Sequence, residues 1–146
     1  MRKKYAMLNR KINKRIVIVS LTVILAMTMV IPAFASSDRF AYSFLLRNEY
    51  HNSYTEGRYR QTTNVNNKWM VDMTYHSEGS NAQATYWLAR TGDKTRVSDT
   101  HKFRNGTGSH FYAAYASGSQ CNVCLGCENV KRTSANVAGY WDEETL

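Results

Sequence analysis

The amino-acid sequence predicts an all-β protein: a single small antiparallel β-sandwich or barrel-like domain that follows a cleaved N-terminal signal peptide. Short segments alternate apolar and polar residues and are separated by turn-forming residues, and no long run holds a helical period. Nine of the ten Tyr, all three Trp and four of the five Phe lie after residue 35, and aromatic residues favour strands. These observations indicate a folded β domain with an aromatic core.

The N-terminal segment has the three-part pattern of a secretory signal peptide. Seven Lys and Arg residues come first without an acid, an apolar run starts at Ile16, and a proline precedes the small-x-small sequence that ends at Ala35. The alternative is a retained membrane anchor. A membrane span needs an apolar run of about 20 residues, and the run that starts at Ile16 is somewhat shorter. We expect cleavage after Ala35, so that residues 1–35 are the signal peptide and residues 36–146 form one secreted domain.

Cleavage removes most of the positive charge. The precursor has a formal net charge of +8, but seven of its 19 Lys and Arg residues precede Ile16 and all 11 acids follow it, leaving 12 bases against 11 acids. A net charge of +1 does not predict a nucleic-acid-binding protein. We expect contact with a membrane only through the signal peptide before cleavage.

Eight segments of the mature chain fit short strands. Residues 68–76 alternate most clearly, with Trp69, Val71, Met73 and Tyr75 on one face and the remaining side chains, including His76, on the other. The predicted strands are residues 39–47, 58–63, 68–76, 83–90, 95–98, 110–116, 120–127 and 135–141.

The segments between these strands are predicted turns and loops. Residues 48–57 and 99–109 are polar and rich in turn formers, so they are predicted loops. Residues 110–116 and 120–127 are expected to pair as a hairpin across 117–119. In residues 58–63, Arg58 and Arg60 are expected to protect an edge strand from pairing with other chains.

Five blocks of sequence resemble a family of small, secreted, functionally uncharacterised proteins of Gram-positive bacteria. The blocks are RYRQTTN at 58–64, KWMV at 68–71, TYWL at 85–88, GTGSHFY at 106–112 and GYWDEET at 139–145. The resemblance implies secretion and one domain. The family has no assigned activity, so the resemblance implies no catalytic residues.

Three cysteines form the most distinctive chemistry, at Cys121, Cys124 and Cys127. On a regular strand Cys121 and Cys127 share a face about 20 Å apart, beyond the roughly 7 Å Cα limit of a disulfide, and Cys124 points to the other face. The alternatives are buried thiols, a local disulfide that requires a backbone turn, and a disulfide-linked homodimer. A zinc site with a histidine such as His110 is the weakest alternative, because structural zinc sites take two separated cysteine pairs.

Aromatic side chains are the second candidate site. Seven of them could line a saccharide or peptide surface, since a flat ring with a polar tip suits a binding face, although a domain so poor in Leu and Ile also needs rings inside. Those seven are Trp69, Tyr75, Tyr86, Trp87, Tyr112, Tyr140 and Trp141. The residues selected as the candidate face are Trp69, Trp87, Tyr112 and Trp141.

No catalytic, metal or cofactor site is predicted. The four histidines are scattered, no Gly-x-Ser-x-Gly sequence is present, and most acids lie in polar loops. Asp142, Glu143 and Glu144 suggest either a Ca²⁺ site or, more simply, an exposed acidic end.

The predicted function is a non-catalytic extracellular or cell-wall-associated module that binds a cell-wall polymer or another protein. A secreted bacteriocin-like antibacterial protein is the alternative, and its weakness is the mature charge of +1, which does not favour anionic membranes. A small secreted hydrolase is the third interpretation.

Overall fold

The structure is a computed structural model that describes residues 38–48 and 51–146. The predicted signal peptide and its cleavage site lie outside the described residues. Within these ranges the chain forms nine strands and one short 3-10 helix at Ala116–Gly118. The strands are β1 Phe40–Leu46, β2 Ser53–Tyr54, β3 Arg58–Arg60, β4 Trp69–His76, β5 Gln83–Arg90, β6 His101–Arg104, β7 His110–Tyr112, β8 Cys121–Asn129 and β9 Ala135–Asp142.

Two antiparallel sheets pack as a β-sandwich, which confirms the predicted all-β fold class. Sheet A has the strand order β1-β9-β4-β7. Sheet B has the order β2-β8-β5-β6, and β3 also pairs with β8, so two short strands share one edge of sheet B. Among the described residues no helix is long and apolar enough to cross a lipid bilayer.

Aromatic side chains join the two sheets across the core. The Tyr42 hydroxyl of β1 donates a hydrogen bond to the Tyr86 hydroxyl of β5 over 3.0 Å, and the two ring centroids lie 5.8 Å apart. Burial raises the pKa of both phenols, so both stay neutral. Other buried members of this cluster are Phe44, Leu46, Trp69, Val71, Met73, Ala84, Leu88, Val97, Phe103, Ala114, Val123, Leu125, Cys127, Val137 and Trp141.

The predicted hairpin between residues 110–116 and 120–127 is wrong. β7 pairs with β4 in sheet A, whereas β8 pairs with β5 in sheet B, so the chain changes sheets between them. The 3-10 helix Ala116–Gly118 makes this crossing where a tight turn was expected. The alternating pattern indicates a strand, but it does not identify the neighbour with which that strand pairs.

A β-bulge in β4 overturns the predicted facing of its last two residues. The pairing of β4 with β9 shifts register between Met73 and Tyr75. Because an extra residue reverses the alternation of side chains, Tyr75 points outward and is 52% exposed, whereas His76 is buried. Burial lowers the pKa of His76.

Two short strands lie within segments predicted as loops, and one predicted strand is reduced to a bridge. β2 and β6 fall inside 48–57 and 99–109, because strands this short carry too few alternating residues to stand out from their polar neighbours. Residues 95–98 contribute only an isolated bridge between Arg96 and Ala89. The main strand assignments otherwise match the structure.

We expect Gly139→Ala to destabilise the domain by at least about 3 kcal/mol. A Cβ atom at Gly139 would lie 1.8 Å from the Asp72 carbonyl oxygen and 2.9 Å from the Tyr42 hydroxyl, so neighbouring backbone must move. Urea denaturation followed by tryptophan fluorescence measures the change. Gly92→Ala is the control, because a Cβ there meets nothing within 4 Å. Equal midpoints for the two variants would contradict the packing described.

Candidate functional site

The outer aromatic face is the surface of sheet A that points away from the core, and it presents Tyr75, Phe111 and Tyr140. These side chains are 52%, 48% and 43% exposed. Alternation places Phe111 and Tyr140 outside, since their neighbours Tyr112 and Trp141 point toward the other sheet. The bulge in β4 is what turns Tyr75 onto this surface.

The strand register fixes the spacing of the rings. Tyr75 lies directly opposite Ala138, and Tyr140 directly opposite Asp72. Tyr75 and Tyr140 are therefore diagonal neighbours on adjacent strands, a relation that separates Cα atoms by about 7–8 Å. Phe111 pairs with Met70 one strand further across the sheet. The three rings lie on neighbouring strands and belong to one continuous surface.

Small and polar residues lie beside the two tyrosines of this face. Ala41 lies beside Tyr140 and Ser43 beside Ala138, and both are exposed. The Asp72 carboxylate accepts a hydrogen bond from the Ser109 hydroxyl over 3.2 Å. Because the neighbours of the tyrosines are small, the two tyrosine rings can contact a flat ligand on their faces, while their phenolic hydroxyls remain free to hydrogen-bond.

The four aromatic residues selected from the sequence do not form this surface. Trp69, Trp87 and Trp141 are buried, and Tyr112 is half-buried, with its ring stacked on His101 at 3.5 Å between centroids. The physical reason is that a core with few aliphatic residues draws in the largest rings. Tyr75 and Tyr140 were among the wider set of candidates, whereas Phe111 was not.

Trp87 is buried on the outer side of sheet B rather than in the main core. It packs over Gly126, where a Cβ would approach the indole to 2.4 Å. The Tyr54 ring meets it edge-on at 6.0 Å, and the Arg96 guanidinium lies 4.6 Å from the indole centroid. This small second cluster also contains Ala89 and Cys124.

The cysteines lie on the two faces of β8 as strand alternation predicts. Cys127 is buried in the main core and Cys121 packs at its margin, whereas Cys124 is buried in the second cluster under Trp87. All three are free thiols. Burial raises the pKa of Cys124 and Cys127, although the Lys94 ammonium 3.7 Å from Cys124 Sγ opposes this for Cys124. Only Cys121 retains solvent exposure.

The zinc alternative places its ligands on different sheets. His110 lies on β7 in sheet A and stacks on Phe103 at 4.3 Å, whereas the cysteines belong to β8 in sheet B. Across residues 38–48 and 51–146, no group of three or more His, Cys, Asp or Glu side chains is arranged to hold a metal ion.

The acidic C-terminal end is buried, not exposed as expected. Asp142, Glu143 and Glu144 are each no more than 5% exposed. The Glu144 carboxylate accepts hydrogen bonds from the backbone N–H groups of Gln61 at 3.1 Å and Thr62 at 2.9 Å. Backbone amides and arginine side chains therefore surround these acids.

Two arginines complete this region, which we call the C-terminal clamp and which consists of Arg58, Arg60, Asn67 and residues 142–146. Arg58 Nε donates to Glu143 Oε2 at 2.5 Å, and Arg60 Nε donates to the Glu143 carbonyl oxygen at 2.9 Å. Arg60 is fully buried, so it does not protect the strand edge as predicted. The Asn67 side chain accepts the N–H groups of Thr145 and Leu146, each at 3.0 Å.

The five blocks quoted from the sequence therefore have structural positions. The first and the last meet in the C-terminal clamp, KWMV begins β4, TYWL lies in β5, and the end of GTGSHFY forms β7. Their residues are explained mainly by packing and by the clamp.

A model of the family described as "Protein of unknown function (DUF2712)" matches residues 31–145. The chain belongs to this family. No curated protein and no solved structure matches the chain. The DUF2712 assignment carries no activity, so function must be argued from the surfaces of the domain.

We expect Asp142→Asn to stabilise the domain at pH 7 and to have no stabilising effect at pH 4. Burial raises the pKa of Asp142 from 3.8 to about 6, so the folded state holds this proton more tightly than the unfolded state. Stability from this group is therefore fully present below pH 4 and is lost as pH rises through about 6. The gain is at most about 3 kcal/mol, since each pKa unit corresponds to about 1.4 kcal/mol.

Urea denaturation at both pH values measures this effect, because Asn keeps an oxygen that can accept the Glu144 N–H, as Asp142 Oδ1 does at 3.1 Å. Asp38→Asn removes a carboxylate from an exposed position and is expected to change stability at neither pH. A gain for Asp142→Asn that is equal at pH 4 and pH 7 would rule out titration of this group as its cause.

Proposed function

We propose that this protein is a non-catalytic module that is exported from a Gram-positive bacterium and binds a cell-wall polysaccharide through the outer aromatic face. The observation that carries the proposal is the set of three half-exposed rings, Tyr75, Phe111 and Tyr140, on neighbouring strands of one sheet. Export rests on the sequence pattern of residues 1–35.

The chemistry of the face favours a sugar polymer. A sugar ring has apolar C–H faces and a hydroxyl rim, which match an aromatic ring face and a phenolic or carboxylate edge. The Cα atoms of Tyr75 and Tyr140 are separated by about 7–8 Å, as for diagonal neighbours, so the two rings can contact different sugars of one chain. Asp72, directly opposite Tyr140, provides a hydrogen-bond acceptor beside the rings.

The exposed apolar residues are also spread out. Tyr75 lies opposite Ala138, and Ala41 and Ser43 of β1 border the face beyond β9, so small side chains lie beside the two tyrosine rings. A polymer that repeats one chemical unit can gain a small contribution from each ring, and the combined contact then gives useful affinity.

The test measures retention of the secreted protein on purified cell-wall polysaccharide. We expect Tyr75→Ala with Tyr140→Ala to lower affinity at least tenfold, because each stacked ring contributes about 1 kcal/mol and 1.4 kcal/mol is a factor of ten. Tyr59→Ala is the matched control, since Tyr59 is also 52% exposed but lies on β3 of sheet B. Equal retention of the double variant and wild type, or no retention of wild type, would refute the proposal.

Export and the state of the thiols can be checked together by intact mass of the protein from culture medium. We expect a monomer that begins at Ser36. Treatment with a thiol-alkylating reagent under native conditions should add one alkyl group, on Cys121, because Cys124 and Cys127 are buried. In urea all three thiols should react. A mass that doubles without reductant would instead show a disulfide-linked homodimer, and a chain that keeps residues 1–35 in the membrane fraction would refute export.

A further inference from the structure

β1 has a free backbone edge. It pairs with β9 along all seven residues and with no other strand of the described chain. In an antiparallel pair only alternate residues direct their N–H and C=O groups toward the partner, so the remaining groups point away from β9. Within residues 38–48 and 51–146 no backbone hydrogen bond uses that side of β1.

A groove of about 530 Å³ runs along this edge, and we call it the edge groove. One wall is residues 40–44 of β1, and the other is residues 54–58, the run that leads from β2 into β3. Trp141 also lines the groove, and the Arg58 guanidinium lies 3.0 Å from the centroid of the Phe40 ring. The groove therefore has aromatic sides and an unsatisfied strand edge along one wall.

On the opposite side of the sandwich, aromatic side chains fill the space between the two sheets. There β6 and β7 face each other, and their rings stack: His101 lies on Tyr112 at 3.5 Å, and Phe103 lies on His110 at 4.3 Å. No comparable row of stacked rings fills the space between β1 and residues 54–58 of the described chain. The two sides of the sandwich therefore differ: stacked rings fill the space between the sheets beside β6 and β7, whereas an open groove lies beside the free edge of β1.

An extended peptide is the ligand whose chemistry fits this groove. Its backbone can supply alternating donors and acceptors to the free edge of β1, as when a strand is added to a sheet. The five lining residues of β1 span about 13 Å, which corresponds to an extended segment of four to five residues. A sugar chain lacks the regular backbone donors needed for this pairing.

The charges at the two ends of β1 indicate which charges a bound peptide should carry. Residues 40–46 carry no charge, whereas Arg39 precedes them and Arg47 follows them. Both arginines are exposed, and neither forms an ion pair within the described chain. Arg58 in the wall is neutralised by Glu143, and Glu56 is the one acid in the lining. An acidic residue at each end of a bound strand would pair with these arginines.

The same charges disfavour a second copy of this chain as the occupant. An antiparallel pairing of two β1 strands about Ser43 would place Arg39 of each copy opposite Arg47 of the other. Like charges directly opposite each other destabilise a strand pair. The free edge therefore fits a foreign peptide better than a symmetric dimer in this register, which is the one that would pair all seven residues of β1.

We propose that the edge groove binds an extended peptide segment that has an uncharged centre and an acidic residue at each end, and that adds a fifth strand to sheet A beside β1. This site is separate from the outer aromatic face and does not depend on polysaccharide binding.

The test uses two pools of synthetic nine-residue peptides with randomised uncharged central residues, one ending in Glu at both ends and one in Lys. We expect the Glu-ended pool to slow hydrogen exchange of backbone amides in residues 40–46 and the Lys-ended pool to leave it unchanged. N-methylation of alternate peptide amides should abolish the protection, because it removes the donors that pair with β1.

Arg39→Glu with Arg47→Glu should weaken binding of the Glu-ended pool at least tenfold and allow the Lys-ended pool to bind. Arg104→Glu is the control, since Arg104 is exposed on β6 at the opposite side of the sandwich. Tyr75→Ala with Tyr140→Ala should leave peptide binding unchanged, which separates this site from the polysaccharide site. The proposal would be overturned if neither pool protected the amides of β1, or if both pools protected them equally. It would also be overturned if these amides were protected in a dimer that forms without peptide.

Discussion

The C-terminal clamp is the constraint on which the rest of the domain depends. It joins the end of β9 in sheet A to β3 and the following loop, which belong to sheet B, through Glu144, Glu143 and two arginines. Burying charges is costly unless they are paired and hydrogen-bonded, and here backbone amides and guanidinium groups provide the partners. In this chain, which has few aliphatic side chains, the polar contacts of the C-terminal clamp hold the two sheets together in addition to the core.

The aromatic residues divide between two roles, and packing decides the division. The tryptophans and the Tyr42–Tyr86 pair fill the interior, where large rings replace the missing Ile and Leu. Phe111 and Tyr140 remain outside because strand alternation points them away from the other sheet, and Tyr75 remains outside because the bulge in β4 reverses that alternation. The surface proposed to bind polysaccharide therefore follows from the alternation that builds the core and from the bulge in β4 that interrupts it.

The edges of the sandwich are managed in different ways. Stacked rings from β6 and β7 fill the space between the sheets on one side, whereas a groove lies beside the unpaired edge of β1 on the other. Proteins usually protect a free edge with charges, proline or a bulge, and β1 has none of these within its seven residues. One small domain therefore has two chemically different surfaces. One is the flat outer aromatic face, and the other is the edge groove beside a free strand.

The sequence by itself determined the all-β class, most strand positions and the opposite facing of Cys124 and Cys127, because these depend on a two-residue alternation that is visible in one segment at a time. It could not show that the bulge turns Tyr75 outward, that β7 and β8 lie in different sheets, or that Asp142, Glu143 and Glu144 are buried. Those features depend on contacts between residues distant in the chain. The tertiary structure alone decided which face of each strand is inside, and with it which residues are free to bind.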